Sequence, residues 1–445
     1  VIIGVTNMSE INITAPRAAF CTLGCRVNQY ESDAIAASLE KDGFLIVPFG
    51  EEADITIVNT CTVTAESDRK SRQHIRRAVA ANPGKPMIVT GCFAQVSPDA
   101  ASAIDGVSAV IGNGNKAEIP ALARRLIEGE AVQSRVDDIS RAVYDDMVLL
   151  KPRRSRSYIK IQDGCENRCA YCIIPAARGK IRSKKPADVL TEAAALAKAG
   201  CREIILTGIE TAAYGRDSGG GFNLAGLMTQ LNDVPGVERI GLGSLEPTLM
   251  RERFLSEIAP LKAVLPHFHI SLQSGSSSVL KRMRRPYNAA QAMEFIRAVR
   301  EYFPQAMLTA DVIVGFPGET EAEFEETMAF CREAQFLHLH IFPYSIRRGT
   351  EAAGMPDQVP ECVKKQRAAD LAKQQAEIKR ALLEKYVESH REKPVYVLIE
   401  EEKKGCLVGH SEHYVEIRLG ADVGQIGQIV PVTLRETNGD VCFGE

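Results

Sequence analysis

The chain has 445 residues, 45% of them apolar and 25% charged, with a formal net charge of −3. This is the balance of a globular protein of roughly two to four domains, and it argues against an unspecific basic coat for nucleic acid. No apolar run is long enough to span a bilayer and no segment resembles a secretory leader, so a cytoplasmic protein without a membrane partner is expected. In that compartment the 12 cysteines stay reduced and serve as ligands or core.

Residues 16–130 read as a first domain. Ala18–Thr22, Leu45–Pro48, Ile55–Asn59 and Met87–Thr90 have the composition of strands, and Tyr30–Leu39, Ser67–Ala80 and Ile119–Ile127 carry apolar residues at helical spacing. The alternation predicts a parallel sheet with helices on both faces. Cys25, Cys61 and Cys92 each follow a predicted strand. Ligands of an open parallel sheet bind beyond the carboxyl ends of its strands, so the three thiols are candidates for one shared site. Gly24 and Gly91 precede two of them and permit a sharp turn there. Buried apolar cysteine is the alternative for any one of them taken singly, and Cys21 is read that way.

A second domain is expected over residues 148–380, after a polar connector and the basic run Lys151–Arg156. Strands at Ser157–Gln162, Glu203–Thr207, Arg239–Leu242, His267–Leu272, Met307–Gly315 and His338–Pro343 alternate with helices, giving about six βα units, too few for a closed eight-stranded barrel. The loop after the first strand reads Cys165-Glu166-Asn167-Arg168-Cys169-Ala170-Tyr171-Cys172. Three thiolates so spaced can hold three irons of a [4Fe–4S] cluster. With no fourth cysteine nearby, the remaining iron keeps an open position. A zinc site or a disulfide staple is the alternative, although zinc sites usually pair two CxxC units. Tyr171 is suited to pack on an adenine ring. Chemistry in such a barrel belongs at the carboxyl ends of the strands, where Thr207, Gly208, Glu210, Ser244, Glu246, Gln273 and Asp311 fall. Basic clusters recur at Arg69–Arg77, Lys180–Lys185 and Lys281–Arg285, and together they make a candidate RNA-facing stripe.

Residues 383–445 read as a third domain. Behind a long helix over Ala368–Ser389, strands at Pro394–Ile399, Gly405–His410, Val415–Arg418 and Ile429–Glu436 suggest a small barrel of the oligonucleotide-binding kind. Tyr414 and His413 are candidates to stack on a base or to fill the barrel core.

The CxxxCxxC loop with its aromatic residue resembles the radical S-adenosylmethionine (SAM) signature. The segments Thr22–Gln29, Asn59–Val63 and Thr90–Cys92 resemble the amino-terminal domain of the methylthiotransferases. This resemblance implies an α/β chain in three parts: a parallel-sheet domain, a partial (βα)6 radical SAM barrel and a TRAM-type RNA-binding barrel. It also implies two [4Fe–4S] clusters, one on Cys165, Cys169 and Cys172 where SAM is cleaved, the other on Cys25, Cys61 and Cys92. SAM is expected on Tyr171 and the strand-end residues just named, and substrate near Asn28 and Arg178. The implied partners are tRNA and a reduced flavodoxin- or ferredoxin-like electron donor. Thr22–Gln29, Phe342–Ser345 and Val408–Tyr414 look most like the subgroup acting on N6-threonylcarbamoyladenosine at position 37. The alternatives are N6-isopentenyladenosine, an aspartate of a small-subunit ribosomal protein, or a non-catalytic RNA-binding iron–sulfur protein. Ala176, Glu210 and Gly241 depart from the usual pattern.

Overall fold

A computed structural model describes residues 15–145 and 147–445. The described chain divides into two compact units, residues 15–62, 66–139, 145 and 147 in the first, and the remainder, essentially 148–445, in the second.

The first unit alternates β1 (Arg17–Thr22), α1 (Arg26–Lys41), β2 (Leu45–Val47), β3 (Ile55–Thr60), α2 (Ala65–Ala81), β4 (Met87–Gly91), α3 (Cys92–Val96), α4 (Pro98–Ser102), β5 (Ala109–Ile111) and α5 (Ile119–Ile127). All neighbours in the order β2-β1-β3-β4-β5 are parallel. The period-2 alternation of a strand explains the two-sided core. Ile55, Ile57 and Ile88 pack with α1 and α5 on one face, while Val58, Met87 and Val89 pack with α2 and α3 on the other. Cys21 belongs to the second cluster, and its Sγ lies 3.4 Å from His74 Nδ1. The short strand β5 has no counterpart among the sequence expectations.

The second unit begins with β6 (Arg156–Asp163), α6 (Ile174–Arg178), β7 (Arg182–Ser183), α7 (Pro186–Lys198), β8 (Glu203–Gly208), α8 (Leu224–Asn232), β9 (Arg239–Leu242), β10 (Ser244–Leu245), α9 (Glu252–Ile258), β11 (His267–Gln273), α10 (Ser277–Arg282), α11 (Ala289–Tyr302), β12 (Met307–Val314), α12 (Glu321–Ala334) and β13 (His338–Pro343). Strands β6, β8 and β9 run parallel in one sheet, and β10 to β13 run parallel in another. β9 and β10 are one strand interrupted at Gly243, whose N–H donates to Leu206 O at 2.8 Å. Its first half pairs with β8 and its second with β11, so the sheet turns there into a partial barrel of six parallel strands.

Helix α13 (Glu361–Ser389) packs along β13. It starts seven residues earlier than the sequence suggests and runs straight through 380–383. Beyond it come β14 (Val395–Lys403), β15 (Cys406–Ser411), β16 (Glu416–Leu419), β17 (Ile429–Val432), β18 (Leu434–Thr437) and β19 (Cys442–Gly444). The single strand expected over 429–436 bends at Thr433. The two halves, β17 and β18, form opposite ends of the order β17-β14-β15-β16-β19-β18, so the sheet curls and closes through that bend. Leu383, Tyr386 and Val387 of α13 enter its core. Among the described residues no helix is long and apolar enough to cross a membrane.

Candidate functional site

The cysteine loop of the second unit leaves the carboxyl end of β6 through Gly164, whose φ is +76°. A Cβ there would stand 1.8 Å from Lys180 O, so only glycine permits the close pass. Cys165 N donates to Gly179 O (3.0 Å), Cys172 N to Cys169 O (3.1 Å) and Ala170 N to Met283 O (3.1 Å), while Ala170 O accepts from Ala352 N (2.8 Å). The loop is thus clipped on both sides, and its three cysteines are half-buried.

Each sulfur has a distinct neighbour. Arg285 Nη1 donates to Cys169 Sγ at 3.1 Å, and Ile174 N to Cys172 Sγ at 3.4 Å. Cys165 Sγ donates to Glu210 Oε2 at 3.0 Å. Burial first and that carboxylate second push the Cys165 thiol far above its usual range. Ligation requires the thiolate, so an iron here would take the place of the proton that Glu210 accepts. The Arg285 side chain is largely covered, with its guanidinium 5.1 Å from the Tyr287 ring centroid. It also reaches Glu246 (3.3 Å) and Ser271 O (3.4 Å), and Glu246 accepts from Asn167 Nδ2 at 3.2 Å. Tyr171 meets Phe316 edge-on at 6.5 Å, and Phe316 meets Tyr344 at 5.4 Å, which makes an aromatic shelf beside the loop.

The other strand-end residues separate into groups. Gly208 packs on Gln162, whose Oε1 also accepts from Glu210 N at 2.8 Å. Thr207 is buried and Ser244 exposed, and Gln273 has φ +70° at the end of β11. Asp311 lies on the barrel wall, with Oδ1 3.2 Å from His269 Nε2. Arg178 is fully buried, its Nη1 3.3 Å from Asp163 Oδ2, so it braces the loop exit and presents no surface to a substrate. Gly241 abuts Ile205, whose Cδ1 would lie 2.3 Å from an added Cβ.

In the first unit the three cysteines follow β1, β3 and β4. Cys25 caps α1, and Cys92 opens α3. Gly24 has φ +99°, and a Cβ on it would meet Cys61 Cβ at 2.8 Å. Gly91 has φ +96° and would meet Thr60 O at 2.3 Å. Asn28 is buried in the first turn of α1. Its Nδ2 donates to Leu23 O (2.7 Å) and Thr60 O (2.9 Å), sewing the loops of Cys25 and Cys61 together. Ser71 brackets Cys61, accepting from its N–H at 3.2 Å and donating to its carbonyl at 2.9 Å.

Among the described residues no three cysteine sulfurs lie within 4.8 Å of one another. Ligands of one zinc ion stand roughly 3.8 Å apart at a Zn–S distance of roughly 2.3 Å. Two three-sulfur sets, each without a fourth cysteine and each beside a glycine turn, fit clusters with an open iron better than a four-ligand zinc site.

Part of each basic cluster is engaged by carboxylates. Arg282 pairs with Glu323 (2.8 Å) and Arg284 with Glu351 (2.6 Å), while Arg285 enters the site. Arg182 turns to Asp163 (3.4 Å) and Lys184 to Glu192, and Arg69 pairs with Glu66 (2.6 Å). Charge counting along the chain does not see carboxylates brought in by other elements. Sequence reading likewise missed Arg285 as a partner of the cysteine loop, its only signal being membership of a basic run. Tyr414 and His413 do not present faces for a base. Tyr414 stacks on His267 at 4.2 Å and 14°, and His413 is buried against Tyr386.

Residues 159–331 match the Radical SAM superfamily, and residues 17–112 match the Uncharacterized protein family UPF0004. The chain is similar to the threonylcarbamoyladenosine tRNA methylthiotransferase MtaB of Bacillus subtilis (strain 168), 40% identical over 94% of this chain and 93% of that protein. The Thermotoga maritima protein of the same name is 37% identical, over 95% of each. The tRNA-2-methylthio-N(6)-dimethylallyladenosine synthase of Pelotomaculum thermopropionicum is 34% identical over 92% of this chain and 93% of that one. Among solved structures, the radical SAM methyltransferase TsrM of Kitasatospora setae shares the fold, with a TM-score of 0.53 at 17% identity over 74% of this chain and 73% of that chain.

Proposed function

The chain belongs to the radical SAM tRNA methylthiotransferases, and on that premise we propose how its residues divide the work. It is a transferase that converts N6-threonylcarbamoyladenosine of tRNA to the 2-methylthio derivative, with SAM and two [4Fe–4S] clusters as cofactors. The observation that carries this reading is the clipped three-thiolate loop at the mouth of a six-stranded open barrel, in a chain that keeps a second, glycine-cradled three-cysteine set.

Bound clusters and SAM supply the radical and sulfur-transfer chemistry. The chain holds, orients and shields them. Cys165, Cys169 and Cys172 offer three thiolates for the SAM-cleaving cluster, and Cys25, Cys61 and Cys92 offer three for the other. Arg285 places a fixed positive charge and an N–H at Cys169. Glu210 and Glu246 put anionic oxygens beside the loop, suited to the ammonium of a bound methionine moiety. The Tyr171–Phe316 shelf is suited to an adenine. Thr207, Gly208, Ser244 and Gln273 line the strand ends that complete the SAM site. Asn28 keeps two cluster loops in register and so positions ligands. We assign the electron supply to a reduced flavodoxin- or ferredoxin-like protein and the setting to the cytoplasm. The three-part division 16–130, 148–380 and 383–445 corresponds to sulfur donation, radical generation and RNA binding.

The test is expression in bacterial cells lacking their own methylthiotransferases, followed by mass spectrometry of nucleosides from digested tRNA. A methylthio mark on N6-threonylcarbamoyladenosine is expected. A mark confined to isopentenyladenosine would reassign the substrate, and unmarked tRNA beside a methylthiolated ribosomal protein would overturn the RNA reading.

A further inference from the structure

The barrel lumen has a polar wall that cluster binding does not use. In the β11–β13 sheet, Asp311 pairs in register with His340, Thr309 with His338, and His269 with Thr309. Alternation sends Phe268, Ile270, Leu308, Ala310 and Leu339 into the buried core and leaves the polar set on the other face. The wall has two rows. In the buried back row, Thr309 Oγ1 lies 3.1 Å from His267 Nε2 and 2.8 Å from His269 Nδ1. In the front row, the free ring nitrogen of His269 reaches Asp311. One atom each of His269, Asp311 and His340 lies within 4.8 Å of the others, and His340 is solvent-exposed.

The wall is bounded at both ends. Below, Tyr414 stacks on His267 at 4.2 Å and on His410 at 4.7 Å. It does so at φ +65°, an uncommon backbone state for a bulky residue. Above, two residues further along β11, Ser271 O accepts from Arg285, which donates to Cys169. Strand β11 thus carries both the wall and, two residues on, the carbonyl that ties Arg285 to the radical-generating loop. Arg178, a cation that charge alone would nominate, is buried against Asp163.

We propose that His269, Asp311 and His340 form the subsite that receives the threonylcarbamoyl arm of the target adenosine. The His340 imidazole donates to the threonyl carboxylate, His269 holds Asp311 in place through its Nε2, and Asp311 accepts from the hydroxyl or carbamoyl N–H. This rests on the substrate assignment above. An isopentenyl arm would leave these groups unpaired, which is the basis of strong discrimination. Burial, and next the neighbouring His340, hold the adjacent His338 below its ordinary range, so at neutral pH it adds no proton to the wall.

The experiment uses the reconstituted full-length protein and two anticodon stem-loop RNAs, one bearing N6-threonylcarbamoyladenosine and one its threonyl methyl ester. The wild type should bind the free acid at least about tenfold more tightly than the ester. His340→Ala should bring the two within about twofold, and His340→Asn, which keeps a donor, should restore most of the preference. Iron content of about eight per chain in each variant controls for folding. Equal discrimination by wild type and His340→Ala, or none by the wild type, overturns the subsite. So does a stoichiometric divalent ion other than iron that is lost in His340→Ala without any change in RNA preference. If the wild type adds no methylthio group to the free-acid RNA, the substrate assignment itself fails, and the binding comparison still decides whether the wall reads a carboxylate.

Discussion

At the residue scale the site depends on a few contacts with one clear role each. Cys165→Ala, Cys169→Ala and Cys172→Ala should each abolish formation of 5′-deoxyadenosine, because two thiolates do not retain the cluster. Wild-type SAM cleavage in any of them would remove the loop from the active site. Arg285 makes a subtler case. An N–H···S bond and a nearby positive charge favour the more negative, reduced cluster, since hydrogen bonds to sulfur and local charge set such potentials. Arg285→Gln should therefore move the midpoint of the Cys165/Cys169/Cys172 cluster to a more negative potential in an EPR-monitored titration, with Arg285→Lys in between. An unmoved midpoint would make Arg285 a brace for Glu246 and Tyr287 only.

At the scale of elements, the second cysteine set depends on strand ends meeting closely. β4 approaches β3 so tightly that Gly91 has no room for a Cβ, and its φ of +96° is one that side chains avoid. Gly91→Ala should push the Cys92 helix away from Cys61. Reconstituted iron should then fall from about eight toward about four per chain, as it should when Cys25, Cys61 and Cys92 are replaced together. SAM cleavage should persist in the triple variant while methylthio product disappears. Unchanged iron in the triple variant would show that these thiols are not ligands.

At the scale of the whole second unit, the closing sheet is fastened to the barrel by buried charge and stacked rings. Arg156 lies between Glu203 (3.1 Å) and Glu400, and Arg239 pairs with Glu203 (3.3 Å) and donates to His410 O. His413 is buried in the carboxyl-terminal part, with Nδ1 3.0 Å from Tyr386 Oη, Glu412 at 4.0 Å and the His390 ring at 5.6 Å. Burial first, then His390 and Arg239, lower its pKa to about 4. A base whose folded pKa is depressed stabilises the fold fully above its unfolded value near 6.5, and that contribution drains away as pH falls toward 4. The Tm should thus drop across this window, and His413→Gln should flatten part of the drop. An identical pH profile in the variant would assign the acid sensitivity to other groups.

Local chemistry was legible in the chain because it is encoded at short range. The CxxxCxxC spacing lies within eight consecutive residues, and strand–helix alternation follows from periodicity alone, so the cluster loop, the parallel sheet and the six βα units could be read directly. Tertiary structure decided what depends on register and sheet order. Arg285 meets Cys169 across 116 residues, and in sequence it is one more cation in a basic run. Arg178 looked available for substrate, but Asp163 and burial enclose it. The polar wall needs three strands in parallel register before His269, Asp311 and His340 can converge. Tyr414 could serve RNA or core until the closing sheet set it against His267. Periodicity reports which face of an element is buried; only the assembled sheet determines which residues from distant strands share that face.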